Sequence, residues 1–114
     1  MADISAPIPV PSGQTVTLIE VITDPAGPAG LTMRFRFLAP GIADAVDFET
    51  AAADMLALCT GYALPRVPNP GPQPQQIVIS LHDRVLPFGE AAPEAVQYFE
   101  AYRIEDGACV WDMF

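Results

Sequence analysis

The single histidine of the chain, His82, stands in the segment VISLHDR (78–84), with Ser80 two positions before it, Asp83 beside it and Arg84 next. Serine, histidine and aspartate are the side chains of nucleophilic acyl transfer, in which the imidazole takes the hydroxyl proton and a carboxylate orients the ring. The spacing argues against that chemistry. In an extended strand Ser80 and His82 share a face with Cβ atoms on the order of 6–7 Å apart, from a rise of about 3.3 Å per residue, and Asp83 points to the other face. No GxSxG turn or HGG-type loop that would supply oxyanion donors occurs elsewhere. The expectation is that His82 is a surface strand residue, Asp83 a carboxylate at the strand end, and Arg84 a partner for an acidic neighbour or a phosphate-sized anion.

Arg34 and Arg36 lie two apart in LTMRFRFL (31–38) and so share a face of their own strand. Were that strand next to 77–85, Arg34, Arg36, His82 and Arg84 would form one basic patch on an acidic protein, the best candidate binding site. The alternative is that each arginine pairs with a nearby carboxylate. Cys59 and Cys109 admit two readings: a structural disulfide, or two buried thiols behaving as small hydrophobes. The disulfide is the expectation taken here; it would close a loop of about 50 residues and contribute on the order of 4 kcal/mol by chain entropy. Two thiols and one distant histidine cannot fill a tetrahedral shell, so no metal and no other cofactor is expected. Without a CxxC pair or a lysine nearby, neither sulfur reads as a nucleophile.

These residues must be held by elements that the sequence marks fairly clearly. QTVTLIEVIT (14–23) is rich in β-branched residues and reads as a strand; its broken alternation suggests a bulge near Leu18 or cover on both faces. DPAGPAG (24–30) is turn chemistry. In the strand 31–38, Leu31, Met33, Phe35 and Phe37 point one way, to the core, and Thr32, Arg34 and Arg36 the other, to water. The period then changes to about 3.6 residues. Phe48, Ala52, Met55, Cys59 and Tyr62 fall on one stripe, Asp47 is a natural N-cap and Gly61 a stop, which predicts a helix over 48–60.

PRVPNPGPQPQ (65–75), with five prolines, is a surface connection. IVISLHDRV (77–85) is a third strand with Val78, Ser80, His82 and Arg84 outward, and PFGEAAP (87–93) another turn. AVQYFEAYRI (95–104) reads as a strand rather than a helix because it runs into Glu105, Asp106 and Gly107, a hairpin signal, before ACVW. Of its aromatic set, Tyr98, Phe99, Tyr102 and Trp111, most belongs in the core, and any ring left exposed would mark a partner surface.

Length and charge narrow the class. A chain of 114 residues, 51% hydrophobic, suffices for one core. Fourteen Asp and Glu against five basic residues, all arginine, give a formal charge of −9, which repels phosphate backbones and argues against nucleic acid as a partner. The carboxylates are scattered, with a weak cluster at Asp44, Asp47, Glu49 and Asp54. No stretch approaches the roughly 18–20 apolar residues of a membrane span. The opening MADISAPIPVPSG lacks the basic and apolar regions of a secretory leader, so the chain is either cytoplasmic with a native Met1 or an exported protein shown without its leader.

Several segments together resemble one family: PSGQTVTLIEV (11–21), MRFRFLAPGI (33–42), ADMLALC (53–59), IVISLHDR (77–84) and YFEAYRIEDGACVW (98–111). They are similar to small exported proteins of alphaproteobacteria known only as a domain of unknown function. The resemblance implies export, usually by way of a secretory leader. It carries no established functional residue, and Asp83, Arg84, Phe88 and Gly89 fit its pattern better than His82 does.

The sequence therefore predicts an extended Pro-rich lead-in (1–13) and one α+β domain (14–114). Its elements run ββαβββ, an antiparallel sheet of about five strands with one helix packed on it. The expected function is a small exported, non-catalytic binding or protein-interaction domain, periplasmic or secreted, whose partner is a protein or a small anion. Two alternatives stand beside it: an acidic inhibitor of a basic protein, and a hydrolase-like enzyme using His82.

Overall fold

The structure is a computed structural model that describes residues 6–27, 30–43, 47–67, 74–85 and 95–112. Among these residues five strands form one sheet in sequential order: β1 Thr17–Gly27, β2 Gly30–Leu38, β3 Gln76–His82, β4 Gln97–Glu105 and β5 Ala108–Trp111. One α-helix, α1 (Phe48–Leu58), lies between β2 and β3, so the chain order ββαβββ and the α+β class hold. The segment expected as a strand at 95–104 is β4, Gln97–Glu105, as its hairpin signal implied. The connections expected at 87–93, and most of 65–75, lie outside the described residues.

One part of the expected sheet is corrected. β2 and β3 are parallel, with Phe35 beside Ile79 and Phe37 beside Leu81, while the other three pairings are antiparallel. The reason is the helix: α1 carries the chain back along the sheet, and a strand that follows such a crossover enters in the same direction as the strand before it. Parallel central strands are also buried on both faces, and the burial here follows that rule. Phe35, Phe37, Ile77, Ile79 and Leu81 are fully buried on the helix face, each contributing about 1.5–3 kcal/mol by leaving water. On the far face, where 31–38 and 77–85 were expected to meet water, Thr32, Arg36, Gln76, Ser80 and His82 are buried as well.

The irregular first strand has a bulge: Leu18 pairs with Phe37 and Glu20 with Arg36, so Ile19 has no opposite number. The extra residue re-aims the strand, and it places Glu20 on the far face against Arg36. α1 starts as predicted, Asp47 accepting a hydrogen bond from the Thr50 N–H at 2.8 Å. It does not stop at Gly61. A wide turn, Cys59–Ala63, and a short 3₁₀ turn, Leu64–Arg66, extend the helical path until the prolines end it. Gly61 lacks the positive φ of a glycine stop, which only Gly13 and Gly107 among the described glycines adopt.

The buried stripe of α1 is also rotated from the expected one. Ala51, Asp54, Met55, Leu58 and Cys59 face the sheet, and Phe48 lies at the margin, 48% exposed. Beyond the helix, Tyr62 lies edge-on to both Phe37 and Phe35, with centroids 5.5 and 6.4 Å apart.

Asp54 was placed by sequence in a loose acidic cluster; it is instead fully buried and holds the lead-in. Its carboxylate accepts from the Ser12 N–H at 3.0 Å, from the Ser12 hydroxyl, and from the Gln14 side-chain amide at 2.7 Å. The chain turns at Pro11–Ser12, and the Ile8 N–H donates to the Val16 carbonyl at 2.7 Å. The described part of the lead-in is thus a folded-back arm with Ile8 and Val10 against the core, not a simple extended entry.

Candidate functional site

The far face carries the residues that sequence singled out. β2 places Arg34 and Arg36 on it, and the parallel register sets Val78 beside Arg34 and Ser80 beside Arg36. His82, at the end of β3, shares that face. The two strands are adjacent, so Arg34, Arg36 and His82 do come together. Arg84 lies past the strand end, where its guanidinium donates two hydrogen bonds to the Asp83 carboxylate, both at 3.1 Å. That contact holds the Asp83 carboxyl below its usual value, Arg84 being the first cause.

His82 is 1% exposed, which overturns its expected place at the surface. One polar side chain and an aromatic ring pack against it. Its Nε2 lies 2.8 Å from the Ser80 Oγ, and Phe99, more than half exposed, stands edge-on to the imidazole at 5.8 Å. Ser80 and His82 therefore do make the contact that strand spacing seemed to deny, because both side chains lean toward each other along one face. Burial, and after it the Arg36 guanidinium, push the imidazole below its ordinary pKa; the Gln97 side chain, Asp83 and Glu20 pull the other way. The ring is neutral at pH 7. Its Nδ1 is buried with no hydrogen-bond partner among the described residues.

That arrangement is not a catalytic triad. A triad needs Nδ1–H donated to an acid and the hydroxyl open to substrate. Among the described residues Nδ1 meets no carboxylate, Asp83 is engaged by Arg84, and Ser80 is buried. Arg36, 4% exposed, is ion-paired with Glu20, and Arg103 with Glu105 and Asp112. Arg66 stacks on the Tyr62 ring at 3.6 Å and donates to its carbonyl. The pairing of arginines with nearby groups on the same chain thus accounts for most of the basic residues.

The helix face offers a different feature, which sequence reasoning missed. A groove of about 380 Å³ runs between α1 and the β4–β5 hairpin, lined by Phe48, Ala52, Leu56, Glu100, Tyr102, Cys109 and Trp111. Three of its walls are large and exposed: Phe48 at 48%, Leu56 at 44% and Trp111 at 57%. Phe48, Ala52 and Leu56 lie four apart and so form a second apolar stripe on α1, beside the buried one. A helix apolar over two stripes cannot bury both against one sheet, and that was the available signal. Phe48 is steadied by Tyr98, edge-on at 5.5 Å.

Along β4 the aromatics sort by parity. Tyr98 and Tyr102 lie on the helix face and Phe99 on the far one; Tyr102 is buried, and burial, with Glu100 adding to it, raises its hydroxyl pKa. At the inner end of the groove a disulfide joins Cys59 at the end of α1 to Cys109 of β5, with Cα atoms 6.2 Å apart. The two walls are therefore covalently linked. No helix among the described residues is long and apolar enough to cross a membrane.

The chain belongs to a family of unknown function (DUF6497), whose profile matches residues 1–114. No curated protein and no solved structure matches it.

Proposed function

We propose that this family member is a small, non-catalytic binding domain of an oxidising compartment, periplasmic or extracellular, and that it holds a partner protein in the groove between α1 and the β4–β5 hairpin. The groove carries this reading. Large apolar side chains left exposed together, as Phe48, Leu56 and Trp111 are here, are the usual mark of an interaction surface. The compartment is supported by the Cys59–Cys109 bridge, since such bonds persist outside the reducing cytosol. The resemblance to exported proteins agrees with it.

The two competing readings have less behind them. An acidic inhibitor needs a continuous carboxylate face. Here Glu20, Asp83, Glu105 and Asp112 are taken up by arginines, Asp47 caps α1 and Asp54 braces the lead-in. A hydrolase needs an open nucleophile and an orienting acid; Ser80 is buried, and no described residue orients the His82 ring. A small anion would have to compete with Glu20 for Arg36 and with Asp83 for Arg84.

Titration with the neutral apolar dye Nile red tests the groove. The expected result is saturable binding that perturbs the emission of Trp111, the sole tryptophan, and is lost in Ala52→Phe, which fills the groove without touching the buried stripe. Dye binding unchanged by Ala52→Phe, or no saturable binding, would overturn the reading.

A further inference from the structure

We propose that the occupant of the groove is an extended, basic segment of a partner protein that adds to the outer edge of β5 as a sixth strand; this rests on the groove being the binding surface. β5 is the last strand of the sheet, and the described residues place no strand outside it. The hydrogen-bond phase of the β4–β5 hairpin decides which of its residues can accept one.

The two-residue turn Asp106–Gly107, with φ of 51° and 75°, closes the hairpin with Glu105 opposite Ala108. At its other end the Asp112 N–H donates to the Ala101 carbonyl at 2.9 Å. In an antiparallel pair, hydrogen-bonded and non-bonded positions alternate. Asp112, Val110 and Ala108 therefore turn their N–H and C=O groups inward to β4. Cys109 and Trp111, opposite Ile104 and Tyr102, turn theirs outward, away from β4. The same two residues line the groove with their side chains. A strand pairing with their backbone necessarily sets every second side chain on the groove face, which is the geometry of strand addition.

Charge selects the kind of strand. Glu100 lines the groove and has no ion-pair partner among the described residues, so a carboxylate sits unneutralised between Tyr102 and apolar walls. The chain as a whole carries −9. A lysine or arginine on the groove face lays its stem along Trp111 and carries its charge toward Glu100; an acidic segment is repelled. The fitting segment is short, with apolar residues alternating around one basic residue on a single face.

The probe is the capped peptide Thr-Val-Thr-Arg-Thr-Val-Thr, titrated against the oxidised protein and followed by Trp111 fluorescence and by amide hydrogen exchange. The expected result is saturable binding with exchange at Cys109 and Trp111 slowed at least tenfold. Glu in place of Arg weakens binding at least tenfold, Glu100→Gln narrows that gap several-fold, and backbone N-methylation abolishes binding. Peptide binding indifferent to N-methylation would overturn strand addition, and a gap unchanged by Glu100→Gln would overturn the role of that carboxylate. Nile red bound in the groove with no peptide bound would overturn this inference and leave the groove as a binding surface. Neither ligand bound would overturn both.

Discussion

Removing the bridge should cost this domain much of its stability, and the size of the loss follows from where the two cysteines lie. Cys59 and Cys109 are 50 residues apart, so the bond closes nearly half the chain into a loop. The chain-entropy relation gives about 4 kcal/mol for a loop of that length. A domain of this size has a net stability of roughly 5–15 kcal/mol, so the double variant Cys59→Ala/Cys109→Ala should remain folded but only just. With an unfolding entropy near 2.1 cal/mol/K per residue, the melting temperature should fall by roughly 15–20 °C. Both side chains are buried, and alanine leaves small cavities that add to the loss rather than offset it.

The assay is urea unfolding of oxidised wild type and of the double variant, read by Trp111 emission. Wild type should show a higher midpoint, and the variant a somewhat larger slope because its unfolded state is no longer cross-linked. The fall should be accompanied by weaker Nile red binding, since the bond joins the two walls of the groove. A loss below about 1 kcal/mol, or a melting temperature within a few degrees of wild type, would show that the bond adds little to the fold.

Asp54→Ala removes a buried carboxylate that accepts from Ser12 and Gln14. The expected cost is about 2–4 kcal/mol in chemical denaturation, together with faster exchange at the Ile8 amide as the N-terminal arm detaches. His82 has its folded pKa lowered from 6.5, so the unfolded chain binds a proton that the folded one does not. Stability is then full above pH 6.5 and declines as pH falls toward the lowered value. Melting temperature against pH should show that decline in wild type, and His82→Gln should flatten it. The depressed carboxyls of Asp47 and Asp83 act in a separate, more acidic window, as pH falls below 3.8. Glu20→Gln leaves Arg36 buried without its paired carboxylate; because Glu20 is 40% exposed, the expected loss is about 1–2 kcal/mol by denaturant titration. Ser80→Ala should leave p-nitrophenyl acetate hydrolysis at the rate of wild type, both at background; a rate that drops in the variant would restore the hydrolase reading.

Periodicity and turn chemistry made much of this fold legible. Met33, Phe35 and Phe37 alternate with Thr32, Arg34 and Arg36, and both the strand and its core face were as written. The cap at Asp47 and the hairpin at Asp106–Gly107 were equally local, and the strand reading of 95–104 followed from that hairpin. What stayed hidden was set by partners far along the chain. The parallel β2–β3 pairing depends on the path of α1, not on any residue of either strand. The burial of Arg36 and His82 depends on Glu20, Ser80 and Phe99, which share a face with them only through the bulge at Ile19 and the register of three strands. Asp54 read as one more surface acid because the Ser12 turn that it braces lies 42 residues away. The groove escaped notice for a related reason: Phe48 and Ala52 were counted into the buried stripe, whereas the register of β5 sets Trp111 across from them.

The most direct test of the account is to map an apolar ligand onto the folded, oxidised protein by heteronuclear NMR, with Nile red as the probe. A ligand held in the groove should give shift changes that saturate and concentrate on Phe48, Ala52, Leu56, Tyr102 and Trp111. Changes concentrated instead on Ser80, His82 and Arg36, or none that saturate, would contradict that placement.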